Sequence, residues 1–155
     1  GIAAGGGFEI ALSASMIVAS RTASFSLPEV GLGLIAECGG LFRGPRALPL
    51  NIARELLLTG VPLGAERAHA LGLVNRLTEP GQALSEALAL ARQIAERAPL
   101  AVRETLTALE QLNADNDERG WTLTQAAKIV ARESADAREG VAAFKERRAP
   151  RWQGR

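Results

Sequence analysis

Gly5-Gly6-Gly7-Phe8-Glu9 is a triple-glycine turn that opens an apolar segment carrying a single carboxylate. The apolar residues 1–4 before the turn predict the end of a strand, and the largely apolar residues 8–14 after it predict a short buried helix. A glycine-rich turn that leads into a helix leaves backbone N–H groups unpaired at the positive end of that helix. Such groups can bind a phosphate or stabilise an oxyanion on a polarised carbonyl.

The glycines also allow a purely structural interpretation. Their spacing differs from the G-x-G-x-x-G fingerprint of dinucleotide-binding folds, and no later acidic residue closes a βαβ unit. Three small residues can serve tight packing alone, without any ligand. The residues themselves therefore leave open an anion-binding turn and a packing turn.

Two carboxylates lie close to this turn in sequence. Glu9 follows the last glycine by two residues, and Glu29 comes directly after a proline that stiffens the chain. The first 42 residues contain only four charged groups, Glu9, Arg21, Glu29 and Glu37. Carboxylates in so apolar a background are paired, hydrogen-bonded, protonated or functional. Two acids that flank a polarised carbonyl compound can act as general base and general acid, although each taken singly could be a solvated side chain or a helix cap.

Composition excludes several classes of protein. A chain of 155 residues is one domain by its length, and a net charge of +1 argues against general nucleic-acid binding. Cys38 is the single cysteine and cannot form an internal disulfide, which favours a reducing compartment. No apolar run approaches the roughly 20 residues of a membrane span, and no signal-peptide pattern is present, so a cytoplasmic protein without membrane contact is expected.

The remaining pattern predicts an α/β unit over residues 1–80 and a helical region over residues 81–155. Short strands are predicted at 16–20, 24–27 and 73–77, and helices at 41–43 (interrupted near Gly44-Pro45), 50–58 and 65–70. After Gly81, four helical segments follow: an apolar stripe over 84–95, a helix from Pro99, a helix over 121–132 after a polar turn at 113–117, and a final helix. Asp136 and Glu139 have the spacing of a capping box, with Asp136 as N-cap of the final helix.

The chain resembles the crotonase (enoyl-CoA hydratase/isomerase) superfamily over essentially all of its length. Each motif is weak alone, but their order and spacing are specific: 5–12 (GGGFEIAL), 25–30 (FSLPEV), 39–40 (GG), 58–60 (LTG), 72–75 (GLVN) and 139–144 (EGVAAF). The Gly-Phe-Glu variant and the ending 148–155 (RAPRWQGR) look most like the carnitinyl-CoA dehydratase-like branch. The resemblance implies the C-terminal part of a spiral of ββα units, followed by an α-helical region that supports the active site and a homo-oligomer, a trimer or a hexamer.

The resemblance also implies roles for individual residues. The N–H of Gly6 would be an oxyanion-hole donor to the thioester oxygen of an acyl-CoA substrate, and Glu9 and Glu29 would be the catalytic pair that places water at C3 and manages the proton at C2. Coenzyme A would be part of the substrate, with no covalently bound cofactor and no metal. A first oxyanion donor precedes the glycine motif in this family and lies outside this sequence, so the 155 residues alone are expected to be poorly stable or to depend on oligomerisation.

Three further residues enter through the resemblance. Glu37 stands where dienoyl-CoA isomerases and carnitinyl-CoA dehydratase-like members carry an acid, and it could be an alternative base, a binder of a cationic substrate group or a solvated loop residue. Phe144 and Arg147 match positions that contact the adenine and phosphates of CoA, often across a subunit interface. With Gly5 and Gly6 they form the predicted CoA-binding set, although a basic helix end can also be merely solvated.

The expected activity is reversible addition of water to a 2-enoyl-CoA thioester in fatty-acid metabolism. Family isomerases often keep only the second acid, so having both favours hydration or dehydration. Double-bond isomerisation and carnitinyl-CoA-like dehydration with Glu37 are the alternatives. A non-catalytic acyl-CoA-binding or oligomerisation fragment is the remaining interpretation.

Overall fold

The computed structural model describes residues 1–114 and 117–155. In these residues the chain forms five short strands, eight α-helices and one 3-10 helix. The strands are β1 (Ile2–Ala4), β2 (Val18–Ser20), β3 (Ser24–Ser26), β4 (Leu63–Gly64) and β5 (Arg76–Thr78). The helices are α1 (Gly6–Leu12), the 3-10 helix (Glu29–Leu32), α2 (Gly40–Ala47), α3 (Leu50–Thr59), α4 (Ala65–Ala70), α5 (Ala83–Ala95), α6 (Pro99–Ala114), α7 (Asp117–Glu133) and α8 (Ala135–Glu146). An α/β fold with a helical C-terminal region is confirmed.

The strands form two small sheets. In the first, β1 pairs in parallel with β3, Ile2 opposite Ser24 and Ala4 opposite Ser26, and β3 pairs antiparallel with β4. In the second, β2 pairs in parallel with β5. Because β1 and β3 end side by side, the residues that follow each of them, the glycine turn and the Pro28-Glu29 segment, emerge at the same edge of the sheet.

The core lies between these sheets and the helices α1, α3 and α4. Phe8 on α1 and Phe25 on β3 are both buried, with ring centroids 5.2 Å apart. Other buried core residues are Leu27, Leu48, Ala53, Leu56, Leu63, Ala68, Leu73 and Val74. A core of this kind holds α1 against the end of β1, so the turn between them has little freedom to move.

The helical region packs back on this core through α5 and α8. Helix α5 lies against β2 and β5, and α8 lies against the 3-10 helix that carries Glu29. The second contact is close because Gly140 of α8 meets the backbone of Leu32, and Gly33 meets the backbone at Asp136. The division at residues 80 and 81 stays a prediction, and the packing of α5 on the strands shows that the two parts share an interface.

Two local predictions are wrong. Helix α2 runs through Gly44-Pro45 without interruption, because a proline in a helix of eight residues removes a single intrahelical hydrogen bond that packing can offset. The N-cap of α8 is Ser134, whose Oγ accepts from Ala137 N, and Asp136 lies in the first turn instead. The predicted polar turn at 113–117 falls in part on residues 115–116, which lie outside the described residues.

Candidate active site

Gly5 connects β1 to α1 in a conformation that favours glycine. Its φ is 54° and its ψ is −128°, a region that side-chain-bearing residues rarely adopt. Its N–H donates to Ser26 O at 2.9 Å, and its carbonyl accepts from Phe8 N and Glu9 N at 2.9 and 3.0 Å. The next residue, Gly6, begins the helix, and its N–H has no acceptor among residues 1–114 and 117–155. The N–H of Gly7 has no acceptor among these residues either, so the start of α1 offers two backbone donors to a ligand.

Glu9 is buried, with 3% of its surface exposed, and its carboxylate is held by a loop distant in sequence. Oε1 accepts from Cys38 N at 2.7 Å and from Gly40 N at 2.9 Å. Gly39 between these donors has φ 107°, and a Cβ on Gly40 would lie 3.0 Å from Glu9 Oε1. The Gly39-Gly40 pair thus lets the backbone approach the carboxylate, and two amide donors stabilise negative charge on Oε1.

Glu29 lies at the start of the 3-10 helix, and part of its carboxylate is buried without a partner. Its Oε2 accepts no hydrogen bond from the residues that the structure describes. Burial raises the pKa of this carboxyl above its ordinary value, and the charge of Glu9 raises the pKa further. A Cβ on Gly5 would lie 2.9 Å from Glu29 Oε1, so the glycine turn also makes room for this acid.

The structure thus brings the glycine turn, Glu9 and Glu29 together. The two acids lie in different environments: Glu9 is stabilised by two amide donors, whereas Glu29 is desolvated and incompletely hydrogen-bonded. Two carboxyl groups in unequal environments, one with a pKa raised by burial, can take different roles in acid–base chemistry. The catalytic roles themselves stay predictions.

Glu37 lies apart from this pair. Its Oε1 is 2.7 Å from Arg132 Nη2 and 3.5 Å from Lys128 Nζ, both on α7. Because its charge is compensated by two cations, Glu37 is poorly placed to act as a free base or to bind a cationic substrate group. Neither role is tested by the structure.

Phe144 and Arg147 lie at the end of α8. Phe144 is 72% exposed, and Arg147 is the C-cap of the helix, with φ 53°. Neither residue forms a hydrogen bond or ion pair with Glu9 or Glu29 within the described part of the chain. Their predicted contact with CoA stays a prediction.

Two cavities lie outside the glutamate pair. One of about 570 Å³ is an open groove between Leu34, α7 and α8, and its rim includes Arg138, Lys145 and Glu146. The other, of about 170 Å³, lies between the end of α1 and the segment before β5. Neither is lined by Glu9 or Glu29, so the chemistry of the pair rather than cavity size identifies the candidate site.

Sequence reasoning missed the two amide donors and the two basic residues of α7. Backbone donors have no side-chain signature, and the only sequence signal for them is the Gly39-Gly40 pair. Lys128 and Arg132 are four residues apart and therefore share a helix face, but their partner is more than 90 positions away in sequence. No pattern of local spacing could have found that contact.

The chain is similar to known proteins over its whole length. The family model described as enoyl-CoA hydratase/isomerase matches residues 1–155. A carnitinyl-CoA dehydratase of Proteus mirabilis (strain HI4320) is 43% identical over 100% of this chain and 61% of its own length, and that of Escherichia coli (strain K12) is 39% identical with the same coverage. The solved structure of a carnitinyl-CoA dehydratase from Mycobacterium avium 104 superposes with a TM-score of 0.95 at 43% identity, covering 100% of this chain and 62% of that one. The chain spans about 61% of the length of these curated relatives.

Proposed function

The chain belongs to the enoyl-CoA hydratase/isomerase family, and from this premise we propose that it supplies the catalytic acids of an acyl-CoA hydro-lyase. The reaction is the addition of water to a 2-enoyl-CoA, or its removal from the corresponding 3-hydroxyacyl-CoA. The observation that carries the proposal is the buried pair Glu9 and Glu29 beside the free N–H of Gly6.

The Gly6 N–H stabilises the thioester oxygen. As water adds to C3 of the enoyl group, electron density moves through C2 to this oxygen and an enolate develops. A preorganised backbone donor at that position stabilises the enolate more than the neutral thioester, and each such donor contributes roughly 10²–10³ in rate. A second donor would come from residues that precede Gly5 in this family.

Glu9 and Glu29 divide the proton transfers. The carboxylate of Glu9, held by Cys38 N and Gly40 N, orients the water at C3 and accepts its proton as the C–O bond forms. Glu29, whose pKa is raised by burial, carries the proton that is delivered to C2. Exchange with solvent then returns a proton to Glu29 and removes one from Glu9, so one water is added in each cycle. Dehydration follows the same steps in reverse.

The second candidate function is dehydration of a carnitinyl-CoA-like substrate. It is favoured by the relatives at 39–43% identity, which are named carnitinyl-CoA dehydratases. The chemistry of the glutamate pair is the same, and only the acyl group differs. The ion pairs of Glu37 argue against Glu37 as the residue that recognises a cationic acyl group.

Phe144 and Arg147 support the proposal that CoA binds where two copies of the chain meet. Both lie at the exposed end of α8, and within the described part of the chain neither forms a hydrogen bond or ion pair with Glu9 or Glu29. An exposed aromatic ring beside a guanidinium suits the adenine and phosphates of a CoA held by a second copy of the chain. We therefore place CoA, as part of the substrate, at an interface of a homo-oligomer.

Replacement of each acid by its amide tests the proposal. In the full-length protein, Glu9→Gln and Glu29→Gln should each lower turnover of a 2-enoyl-CoA by roughly 10²–10⁴-fold, followed by loss of the enoyl-thioester absorbance. Glu86→Gln, on the exposed first turn of α5, is the matched control and should leave turnover unchanged. Full activity of either site variant would refute the roles assigned here, and acyl-CoA binding without turnover in the wild type would favour the binding-fragment interpretation.

A further inference from the structure

The position of Glu9 depends on a loop that Glu9 itself does not belong to. Both hydrogen bonds to its carboxylate come from backbone N–H groups of the segment 37–40, which leads into the first residue of α2. Gly39 in the middle of this segment has φ 107°, a conformation with low intrinsic preference in most residues. Such a segment holds a carboxylate in place only if its two ends are fixed by other parts of the fold.

Helix α7 contacts the chain on both sides of this segment. On the far side, Trp121 stacks edge-on against Phe42 of α2 with centroids 5.1 Å apart, and Asp117 pairs with Arg46. On the near side, Arg132 and Lys128 pair with Glu37, the residue directly before the first amide donor. The loop is thus held at both ends by one helix.

The two basic residues share a helix face with a buried residue in the middle of α7. Thr124 is four residues before Lys128 and eight before Arg132, so these three side chains share one helix face. Thr124 is 1% exposed, whereas Glu37 is 24% exposed. The side chain of Lys128 is 28% exposed and that of Arg132 is 57% exposed, so the ion pairs to Glu37 lie at the solvent-facing edge of a buried contact.

We propose that Arg132, assisted by Lys128, is a positioning residue for Glu9: its ion pair with Glu37 fixes the segment 37–40 and so the two amide donors to the Glu9 carboxylate. Arg132 does not touch the reacting atoms, and it acts through Glu37, Cys38 and Gly40. This inference rests on the proposed function only for its catalytic consequence.

Hydrogen exchange of single amides tests the positioning role without any assay of activity. In the full-length protein, Arg132→Met should speed exchange at Cys38 and Gly40 on the order of tenfold, because the loop opens more often, while the core amide of Val74 keeps its rate. Arg132→Lys keeps the charge and should restore most of the protection. Arg119→Met, an exposed position on the same helix, is the matched control and should change none of these amides.

The catalytic consequence has its own readout. Arg132→Met should lower kcat on the order of tenfold and leave KM within about twofold, since a misplaced acid affects the chemical step and not substrate binding. Unchanged exchange at Cys38 and Gly40 would overturn the inference, and so would an equal rise at Val74, which would mean general destabilisation. If Arg132→Met speeds exchange in the loop but the wild type does not hydrate enoyl-CoA, the proposed function is refuted and the positioning role stands.

Discussion

Gly5 is the residue at which the fold and the candidate site constrain each other most tightly. Gly5→Ala places a Cβ 2.9 Å from Glu29 Oε1 and forces alanine to φ 54°. We expect a loss of about 1–3 kcal/mol in stability from the backbone conformation and a fall in turnover from displacement of Glu29. Thermal unfolding and enoyl-CoA turnover of the same sample measure the two effects.

The matched control for this substitution is Gly64→Ala. Gly64 has φ −70°, and a Cβ there meets no atom within 4 Å. Its unfolding midpoint and turnover should stay close to those of the wild type. Equal behaviour of the two variants would contradict the role given to the Gly5 turn.

The charged carboxylate of Glu29 should lower the stability of the folded protein at neutral pH. Its pKa is raised in the folded state, so the folded protein binds this proton more tightly than the unfolded chain. Stability therefore falls as pH rises from the ordinary value of 4.5 through the raised pKa, and the loss is complete above it. Glu29→Gln should unfold at a higher temperature than the wild type at pH 7, and the difference should fade below about pH 4. A difference that is the same at both pH values would show that the charge of Glu29 is not responsible.

Side chains of the site were predictable from sequence, whereas their partners were not. Glu9 and Glu29 stand out because charged residues are rare in the first 42 positions, and Gly6 stands out within a glycine turn. The donors to Glu9 are backbone groups of Cys38 and Gly40, which any sequence supplies, so only the folded geometry reveals them. The family resemblance supplied the roles, which the arrangement of the residues supports without testing.

At the scale of elements, no side chain should fit at Gly140, where α8 contacts the 3-10 helix. A Cβ on Gly140 would overlap the carbonyl group of Leu32, so Gly140→Ala must push α8 away from the segment that carries Glu29. We expect about 1–3 kcal/mol of destabilisation, typical of overpacking. Gly31→Ala in the 3-10 helix is the comparison, because its Cβ meets nothing within 4 Å. Denaturant unfolding that ranks the two variants in the opposite order would contradict the packing described.

The segment after α8 should detach in acid. Glu139 accepts from the Arg148 guanidinium and from Arg151 N, and these hydrogen bonds lower the pKa of its carboxyl to about 2. A lowered pKa contributes stability above the ordinary value of 4.5, and the contribution is lost as pH falls through about 2. The indole NMR signal of Trp152 should therefore shift between these pH values, and Glu139→Gln should show part of that shift already at pH 7. A Trp152 signal that stays constant to pH 2 would contradict this assignment.

Most elements were predictable because their patterns are local. Strands, turns and the start of α6 at Pro99 follow from apolar runs and from glycine and proline. The N-cap of α8 was assigned wrongly because two local signals competed. Ser134 and Asp136 are both good N-caps, and Asp136 instead accepts from the backbone of Gln153 and Gly154, a contact made only when the segment after α8 folds back.

At the scale of the whole molecule, the helical region leaves much apolar surface exposed. Its exposed large apolar side chains include Leu84, Leu88, Leu100, Leu106, Leu109, Leu112, Leu123, Ile129, Val130 and Phe144. Helix α6 makes at most marginal contact with the other described elements. Surfaces of this extent mark an interaction site, which supports the proposed homo-oligomer. No helix in the described part of the chain combines the length and the apolar character needed to span a membrane.

Charges placed on α6 test this assembly. Leu106→Glu combined with Leu109→Glu should lower the molar mass measured by light scattering, because each change buries a carboxylate at an interface. The control is Thr105→Glu combined with Gln111→Glu, which adds the same charge to exposed polar positions of the helix and removes no leucine. This variant should keep the molar mass of the wild type. A wild-type protein that is monomeric at all concentrations would contradict the assembly.

The central claim, that Glu9 and Glu29 add water across an enoyl thioester, is tested most directly by turnover of a 2-enoyl-CoA in deuterium oxide. Hydration predicts a 3-hydroxyacyl-CoA with a single deuterium at C2 and no deuterium at C4, formed roughly 10²–10⁴-fold more slowly by the Glu9→Gln and Glu29→Gln variants. Deuterium at C4 without a hydroxyl group at C3 would contradict the claim, because it would assign the same pair of acids to movement of the double bond.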